Sequence, residues 1–376
     1  MLCRKRKNMS ELSVIDWMTL SFVPGLGSKG LAQLLAHYGS PKEIFAACSN
    51  GQEGKSFIRK NVLAGLSNPM PFRELAKIQL TRIESGRAEV ICPDDEKYPL
   101  ALKEIADSPA VLYVQGRVEL LNSLCLAMVG SRAATSYGKR CSFTLARDLA
   151  AAGVTVVSGL ASGIDSEAHS GALSVQGATI GVLGCGLDVV YPKHNSGLYD
   201  RIRTDGLLVT EYPLGTKPDG FRFPARNRII SGLSRGVVVV EAARKSGSLI
   251  TAEMALDEGR DVFAVPGQID SQKSDGTHWL LQQGAKLVQS AEDIRVEIDG
   301  IWQGDESEKC ADEDVLHAID PAARKLFEEI DVYPSARNKL IVASGLGSAK
   351  VTELLLLLEL EGLVEILPGD EIRRVV

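Results

Sequence analysis

The chain reads LCLAMVGSRAATSYGKRCSFTLARDLAAAGVTVVSGLASGID from Leu124 to Asp165. Two apolar runs in it, Leu124–Val129 and Val154–Val157, each end in a turn rich in Gly and Ser, and a stretch with helical periodicity lies between them. A strand, a Gly-rich turn, a helix and a second strand in this order are the unit from which parallel sheets are built. The stretch therefore predicts a βαβ unit.

The same alternation continues towards the C-terminus. Further apolar runs followed by similar turns are Thr179–Leu183, Leu207–Thr210, Gly236–Val240 and Asp261–Val265. Four consecutive valines, Val237 to Val240, are typical of a strand that helices cover on both faces. The pattern predicts an α/β fold over residues 86–300, namely an extended Rossmann-like, doubly wound, mainly parallel sheet.

The sequence before this region predicts a small helical domain. Residues 1–9 are polar and basic, and we expect them to be a flexible leader. Residues 10–85 have helical periodicity that is interrupted at Pro24-Gly25-Leu26-Gly27. Such a turn is typical of a helix-hairpin-helix (SAM-like) domain, whose glycines let the backbone approach a phosphate, and it also occurs as a purely structural turn.

The sequence after it predicts a linker at residues 301–314 and a winged helix at residues 315–376. The long helix, Ser348–Glu361, has one cation and three glutamates, whereas helices that read a nucleic-acid groove usually carry Lys and Arg. The five leucines from Leu354 to Leu358 cannot all face one core. We expect either a module that binds protein, namely the basic middle domain of the same chain or a partner, or a core helix with one leucine incidentally exposed.

Composition excludes several classes of protein. With 376 residues, 45% of them apolar and 24% charged, the chain is not disordered, collagen-like or a coiled coil as a whole. No apolar run approaches the ~20 residues of a membrane span, so we expect a cytoplasmic protein with no membrane partner. The seven cysteines have no paired spacing, which favours reduced thiols over disulfides or zinc.

The net charge of −6 conceals an uneven distribution. Between Lys217 and Lys245 there are seven bases and two acids, and from Glu313 to Val376 there are seven bases and twelve acids. The basic middle of the chain is therefore compatible with a nucleic-acid partner.

The loops that follow the predicted strands contain the candidate site, because ligands of open α/β sheets bind beyond the carboxyl ends of the strands. Small residues at helix N-termini offer N–H groups to phosphate oxygens, and Arg or Lys adds charge-assisted hydrogen bonds. The predicted phosphate-binding residues are Gly130, Ser131, Arg132, Ser158, Gly159, Ser162, Gly163, Lys193, Arg222, Arg226, Asn227, Arg228, Arg244, Lys245, Ser246, Gly247 and Ser248. Several such loops at one edge indicate more than one phosphate.

Aromatic residues in the same loops favour a single-strand groove. Phe221, Phe223 and Tyr191 lie next to these cations in sequence, and bases stack on such rings with little regard to sequence. The alternative for Phe223 is a plain core residue.

Two other kinds of site are less well supported. Gly184-x-Gly186 follows a strand, and Glu211 ends the next one, but the third glycine of a dinucleotide fingerprint is replaced by Val189. A hydrolase could use the strand-end residues Asp165, Glu167, His169, Glu211 and Glu241. The alternative is that these residues have structural roles. Asp165 would then be a helix N-cap, and Glu211 and Glu241 would be buried partners of Arg226 or Arg228. We predict no catalytic residue, no metal site and no cofactor.

Several motifs together resemble the DNA-processing protein DprA (Smf) family. The matching segments are Val129–Arg132, Ser158–Asp165, Phe223–Gly232, Ser246–Thr251, Val265–Gly267 and Gly276–Ala285. The resemblance is dense from Tyr98 to Leu287. It implies a homodimer without established catalysis that binds single-stranded DNA during natural transformation, protects the incoming strand and helps to load the RecA recombinase.

The resemblance also assigns individual residues. Arg132 matches the family's Gly-Ser-Arg arginine, Lys193 the lysine after Tyr-Pro, and Arg226 and Arg228 the arginines of Phe-Pro-x-Arg-Asn-Arg. Ser162 departs from the family, in which many members have arginine at this position. Arg222 or Arg244 is expected to compensate for that lost charge.

The alternative is a phosphoribohydrolase-like enzyme of the same superfamily that binds a nucleotide. Those enzymes use a Pro-Gly-Gly-x-Gly-Thr-x-x-Glu loop before a helix. In the comparable stretch, Lys245–Glu253, the double glycine is absent and Glu253 is displaced by one position relative to Thr251. The sequence therefore favours a single-stranded DNA-binding protein over a phosphoribohydrolase-like enzyme.

Overall fold

The computed structural model describes residues 11–49, 59–298, 321–330, 335–360, 363–367 and 370–374. The chain divides into two compact units, one ending at Gln303 and the other beginning at Gly304. The leader expected at residues 1–9 and the linker expected at residues 301–314 lie outside the described residues.

A large sheet forms the centre of the N-terminal unit. Its strands are β1 (Glu89–Ile91), β2 (Leu112–Gly116), β3 (Cys125–Val129), β4 (Thr155–Ser158), β5 (Thr179–Val182), β6 (Leu207–Thr210), β7 (Gly236–Val239), β8 (Asp261–Ala264) and β9 (Lys286–Leu287). They are arranged in the order β1-β2-β6-β5-β4-β3-β7-β8-β9. In this spatial order, every neighbouring pair between β6 and β9 is parallel. Beyond β6, strand β2 pairs antiparallel with β6, and β1 pairs antiparallel with β2. The predicted doubly wound, mainly parallel fold is confirmed.

Helices cover both faces of this sheet. They are α6 (Leu100–Glu104), α7 (Ser136–Ala151), α8 (Ile164–Ser174), α9 (Ser196–Asp205), α10 (Arg222–Leu233), α11 (Gly247–Asp257), α12 (Asp275–Gln282) and α13 (Ala291–Glu297). On β7, Val237 and Val239 pack into one core cluster together with α10 and α11. Val238 and Val240 pack into another cluster with α7 and α8. Alternation of side chains along the strand explains why four successive valines are all buried.

Five helices precede the sheet, at α1 (Glu11–Phe22), α2 (Ser28–Tyr38), α3 (Pro41–Ser49), α4 (Lys60–Ser67) and α5 (Met70–Ser85). The expected hairpin is present between α1 and α2, where Gly25 adopts φ +82°. These helices share one hydrophobic core with the sheet, since Ile83 belongs to the same cluster as Tyr113 and Leu208. In addition, Trp17 Nε1 donates to Asp94 Oδ2 at 2.8 Å. The helical region therefore packs as part of the N-terminal unit.

The C-terminal unit has the winged-helix arrangement that the sequence predicts. Its helices are α14 (Pro321–Glu328), α15 (Arg337–Ser344) and α16 (Ser348–Leu360), and its strands are β10 (Ser335–Ala336), β11 (Val364–Leu367) and β12 (Glu371–Arg374). The strands form a separate sheet in the order β10-β12-β11. On α16, Leu354, Leu355 and Leu358 are buried, whereas Leu356 and Leu357 are 55% and 43% exposed. Two leucines of the run are thus left outside the core.

None of the described helices is, by itself, long and apolar enough to cross a membrane. The pair Arg337–Ser344 and Ser348–Glu359 passes such a test of length and composition only when taken together, and it is bent by 110°.

Candidate nucleic-acid interface

The winding of the sheet reverses at β3, because β4 lies on one side of it and β7 on the other. The loops after these strands separate at such a point and leave a crevice. A cavity of about 380 Å³ lies there, which we call the switch-point cavity. Its lining residues are Val129, Gly130, Arg132, Ala161, Asp165, Phe223, Pro224, Arg226, Asn227, Ile230, Ser246, Gly247, Ser248 and Thr251. Four of the predicted loops therefore meet in one place.

Arg226 is the buried cation of this cavity, with 5% of its surface exposed. Its Nη1 donates to the carbonyl oxygen of Gly159 at 2.6 Å and to that of Val182. The guanidinium thus joins the end of β4 to the end of β5. Burial lowers the pKa of Arg226, and the nearby carboxylate of Asp165 opposes that effect. Arg226 consequently positions the loops and places positive charge in the cavity wall.

The glycines of the loop after β4 make this arrangement sterically feasible. A Cβ atom at Gly159 would overlap the guanidinium of Arg226. Gly163 has φ +80°, a conformation that L-residues with side chains rarely adopt, and a Cβ there would overlap the carbonyl oxygen of Ser131. Close contact between loops, more than contact with a ligand, explains these two predicted residues.

An aromatic pair lies beside the buried arginine. The rings of Tyr191 and Phe223 stack with centroids 5.4 Å apart and an interplanar angle of 26°. The guanidinium carbon of Arg132 lies 5.3 Å from the centre of the Phe223 ring. Tyr191 is 42% exposed and Phe223 is half-buried, so Phe223 is not a plain core residue. Phe221 is more exposed, at 65%, and lies under the guanidinium of Arg222.

Four exposed cations stand in the segments that follow β3, β5 and β7, and two of these segments also hold Tyr191 and the N-cap of α11. They are Arg132, Lys193, Arg244 and Lys245. Arg222 is half-buried, and its Nη1 donates to the carbonyl oxygen of Lys217 at 2.5 Å. Exposed cations of this kind are available to neutralise phosphates.

Helix α11 begins at the wall of the cavity. Its N-cap, Ser246, accepts a hydrogen bond from the backbone N–H of Ser248 at 3.3 Å through its hydroxyl. Gly247 follows this cap and also lines the cavity. The positive end of the helix dipole therefore points to the same space as the cations, which favours an anion there.

Two of the predicted residues are placed elsewhere. Arg228 is buried, and its guanidinium donates to Glu211 Oε2 at 2.5 Å and to Asp107 Oδ2 at 3.2 Å. Its charge is thus paired inside the protein, and Arg228 does not line the switch-point cavity, in contrast to the predicted direct contact with DNA. The hydroxyl of Ser158 is buried as well and donates to the carbonyl oxygen of Met128 at 2.6 Å, which leaves this side chain with a structural role.

Three of the four acids proposed for a hydrolase, Asp165, Glu211 and Glu241, have structural partners. Glu211 pairs with Arg228 as predicted, but Glu241 accepts from the hydroxyl of Thr135 at 2.5 Å at the start of α7 rather than from an arginine. Asp165 accepts from the backbone N–H groups of Gly159 and Ala161 at 3.2 and 3.3 Å, and it does not cap α8. Burial raises the pKa of Asp165.

The glycines considered for a dinucleotide site have structural roles. Gly184 is packed against the ring of Phe223, and Gly186 donates its N–H to the carbonyl oxygen of Thr216 at 2.9 Å. Among the described residues there is no cluster of His, Cys, Asp or Glu that could hold a metal ion. Cys48, Cys92, Cys125, Cys141 and Cys185 are free thiols.

Sequence reasoning missed two residues near the interface. His194 lies beside Lys193, and its Nε2 is 2.9 Å from the hydroxyl of Ser162. Trp279 lies under the guanidinium carbon of Arg244, which is 4.4 Å from the ring centre. Trp279 stands within the matching segment Gly276–Ala285, and His194 follows Lys193. Their contacts could not be predicted, because each contact joins segments more than 30 residues apart in the sequence.

Two family models match the chain. One, described as DNA recombination-mediator protein A, covers residues 89–299, and the other, the DprA winged helix domain, covers residues 311–370. Protein Smf from Synechocystis is 34% identical over 395 aligned positions, which include 95% of this chain and 98% of the relative. DNA processing protein DprA from Streptococcus pneumoniae is 50% identical over 205 positions, which include 54% of this chain and 72% of the relative.

Solved structures agree with this assignment. The crystal structure of DprA from Streptococcus pneumoniae has a TM-score of 0.62 at 39% identity, covering 75% of this chain and 97% of that one. DNA processing protein A from Helicobacter pylori has a TM-score of 0.52 at 34% identity, covering 56% and 95% respectively. Since a family model spans more than half of the chain and the Synechocystis relative matches it almost from end to end, this chain belongs to the DNA-processing protein DprA (Smf) family.

Proposed function

We propose that this chain binds single-stranded DNA at the switch-point cavity with little regard to sequence. The observation that carries the proposal is the placement of exposed Arg132 over the Tyr191–Phe223 pair, beside the N-terminus of α11. Cations and helix N-termini bind phosphates, which carry no sequence information. Aromatic rings accept any unpaired base, whereas the bases of a duplex are already stacked on one another.

A relative supports the same ligand. The Helicobacter pylori structure is described as showing a unique single-stranded DNA binding mode of DNA processing protein A. This description concerns that protein, and the structural likeness to it includes 56% of the present chain.

Family membership supports the wider role. We propose that the chain acts in natural transformation, where it protects incoming DNA in the cytoplasm and, as a homodimer without catalytic activity, helps to load RecA. The matching family model is described as a recombination mediator. The rate of RecA filament growth on single-stranded DNA, measured with and without this protein, tests the loading, and sedimentation velocity tests the dimer. An unchanged rate or a monomer would contradict the corresponding part.

Fluorescence anisotropy of a labelled oligonucleotide across a salt series tests DNA binding. If four exposed cations each neutralise one phosphate, log K falls against log salt with a slope of about −3, at ~0.7 per contact. Arg132→Ala should weaken binding. Arg235→Ala is the matched control, because Arg235 is exposed and precedes β7 at the opposite edge of the sheet. Salt-independent curves, or equal effects of both variants, would contradict the proposal.

A phosphoribohydrolase-like enzyme remains the second candidate, because the switch-point cavity has Asp165 in its wall. However, Glu253 does not line this cavity and instead lines a neighbouring groove. Release of free base from nucleoside monophosphates would support the enzyme, and Asp165→Asn would then abolish the release.

A further inference from the structure

A second cavity adjoins the switch-point cavity. It also measures about 380 Å³, and we call it the Trp279 groove. Its lining residues are Arg244, Lys245, Ser246, Leu249, Ile250, Glu253 and Trp279. Ser246, the N-cap of α11, lines both cavities. A ligand that leaves the switch-point cavity past this serine therefore enters the Trp279 groove.

The groove combines an aromatic surface with exposed positive charge. Trp279 is half-buried on α12 and packs against the core cluster that includes Leu249 and Leu280. The guanidinium carbon of Arg244 lies 4.4 Å from the centre of its ring, as expected for a cation–π contact. Arg244 is exposed, so its long side chain can turn towards a phosphate and leave the indole face to another flat group.

We propose that the Trp279 groove is a second nucleobase site for the same single strand. A base stacks on the indole ring of Trp279 or on the guanidinium above it, while Arg244 and Lys245 bind the phosphates that connect it to the switch-point cavity. This inference rests on the proposed function and adds the direction in which the strand continues.

The charges of the groove favour a strand whose phosphates lie near Arg244 and Lys245 and whose base lies on the apolar side. Glu253 is the one acid among its lining residues, against two bases. Glu253 repels phosphates from its own side of the groove, which keeps the sugar-phosphate backbone near Arg244 and Lys245. The apolar surface of Leu249, Ile250 and Trp279 then faces the base. A purely anionic ligand would have no use for this apolar surface, whereas a nucleotide uses both parts.

A length series of oligo-dT, measured by anisotropy in the full chain, tests the proposal. Short oligonucleotides that fill only the switch-point cavity should bind Trp279→Leu as they bind the wild type. Longer oligonucleotides should bind the wild type more tightly than short ones do. Trp279→Leu should bind these longer ones about 5- to 150-fold more weakly than the wild type, the usual range for loss of one stacked base. Trp279→Phe keeps an aromatic face and should restore most of the gain. Bound DNA should quench tryptophan fluorescence less in Trp279→Phe than in the wild type.

The outcomes separate this inference from the proposed function. If wild-type protein binds no oligonucleotide and Arg132→Ala changes nothing, the proposed function fails. If Arg132→Ala weakens binding while Trp279→Leu binds every length as the wild type does, only the second site is overturned. It is also overturned if Trp279→Leu weakens binding at all lengths and halves the mass in sedimentation, because Trp279 would then support contact between two copies of the chain. Thermal melting of both Trp279 variants shows whether they are folded.

Discussion

Arg228 and Glu211 form a largely buried ion pair, with Nη2 and Oε2 2.5 Å apart and side chains 10% and 19% exposed. Arg228→Met should therefore lower the free energy of unfolding by about 3 kcal/mol, because it leaves the Glu211 charge without its partner. Chemical denaturation measures this change. Single-strand affinity of the folded variant should stay at the wild-type level.

Arg235→Met is the matched control for that experiment. Arg235 is exposed, and substitutions at such surface sites usually change stability by no more than about 0.5 kcal/mol. Normal stability of Arg228→Met together with lost DNA binding would return Arg228 to the interface.

His169 should make the stability of the N-terminal unit depend on pH. Thr179 donates its hydroxyl proton to Val156 and so accepts from Nδ1 of His169, at 2.7 Å. Nε2 is buried and has no hydrogen-bond partner among the described residues. Burial, together with the smaller effect of the nearby charge of Arg226, lowers the pKa of His169 to about 3.

The sign of this dependence follows from the lowered pKa. Between about pH 6.5 and pH 3 the unfolded chain binds a proton at His169 that the folded chain does not bind. Stability is therefore lost as the pH falls, by roughly 2 kcal/mol between pH 7 and pH 5 from this group alone. His169→Asn keeps a donor near the position of Nδ1 and should show a smaller loss in denaturation curves at the two pH values. Equal losses in both proteins would assign the pH dependence to other groups.

The sheet could be predicted because its central strands are continuous apolar runs. All six predicted strands are present, from β3 to β8. β1 and β9 have three and two residues, too few for a periodic signal. The antiparallel strands are specified by pairing rather than by local pattern, because β2 pairs with β6 and β1 pairs with β2.

The division of roles among the arginines could not be predicted. Arg226 and Arg228 stand in one motif on α10, and Glu211 could be proposed as a partner, but the second partner of Arg228, Asp107, lies 121 residues earlier in the chain. Arg132 is exposed, and its guanidinium lies over the ring of Phe223 on a different segment of the chain. Burial and partners of this kind depend on tertiary contacts, which spacing within a motif does not encode.

Arg132→Ala should weaken binding of every single-stranded sequence to a similar degree. Arg132 is exposed over Phe223 and so is expected to contact phosphate rather than a base edge. The slope of log K against log salt should become less steep by about 0.7, the value for one lost single-strand contact. Anisotropy with oligo-dT, oligo-dC and a mixed sequence measures both effects. A loss confined to one sequence would show base recognition instead.

Ser162→Arg should strengthen binding. Ser162 lies at the edge of the pocket formed by Arg132, Tyr191 and Phe223, so an arginine there adds a cation next to the strand. The salt slope should steepen by about 0.7. Ser162→Ala, which removes only the hydrogen bond to His194, is the control and should leave the slope unchanged. A steeper slope in both variants, or in neither, would remove position 162 from the interface.

Deletion of residues 313–376 should leave single-strand affinity unchanged or raise it. The long helix α16 is a poor surface for DNA, because Lys350, its one cation, pairs with Glu353 at 3.0 Å. Exposed Leu356 and Leu357 are instead typical of a surface that contacts protein. The chain forms separate units before and after residue 303, so the shortened protein retains the whole sheet. Anisotropy on the full and shortened chains measures the effect, and melting curves show whether the shortened chain is folded. A large loss of affinity in a folded shortened chain would show that the winged helix itself binds DNA.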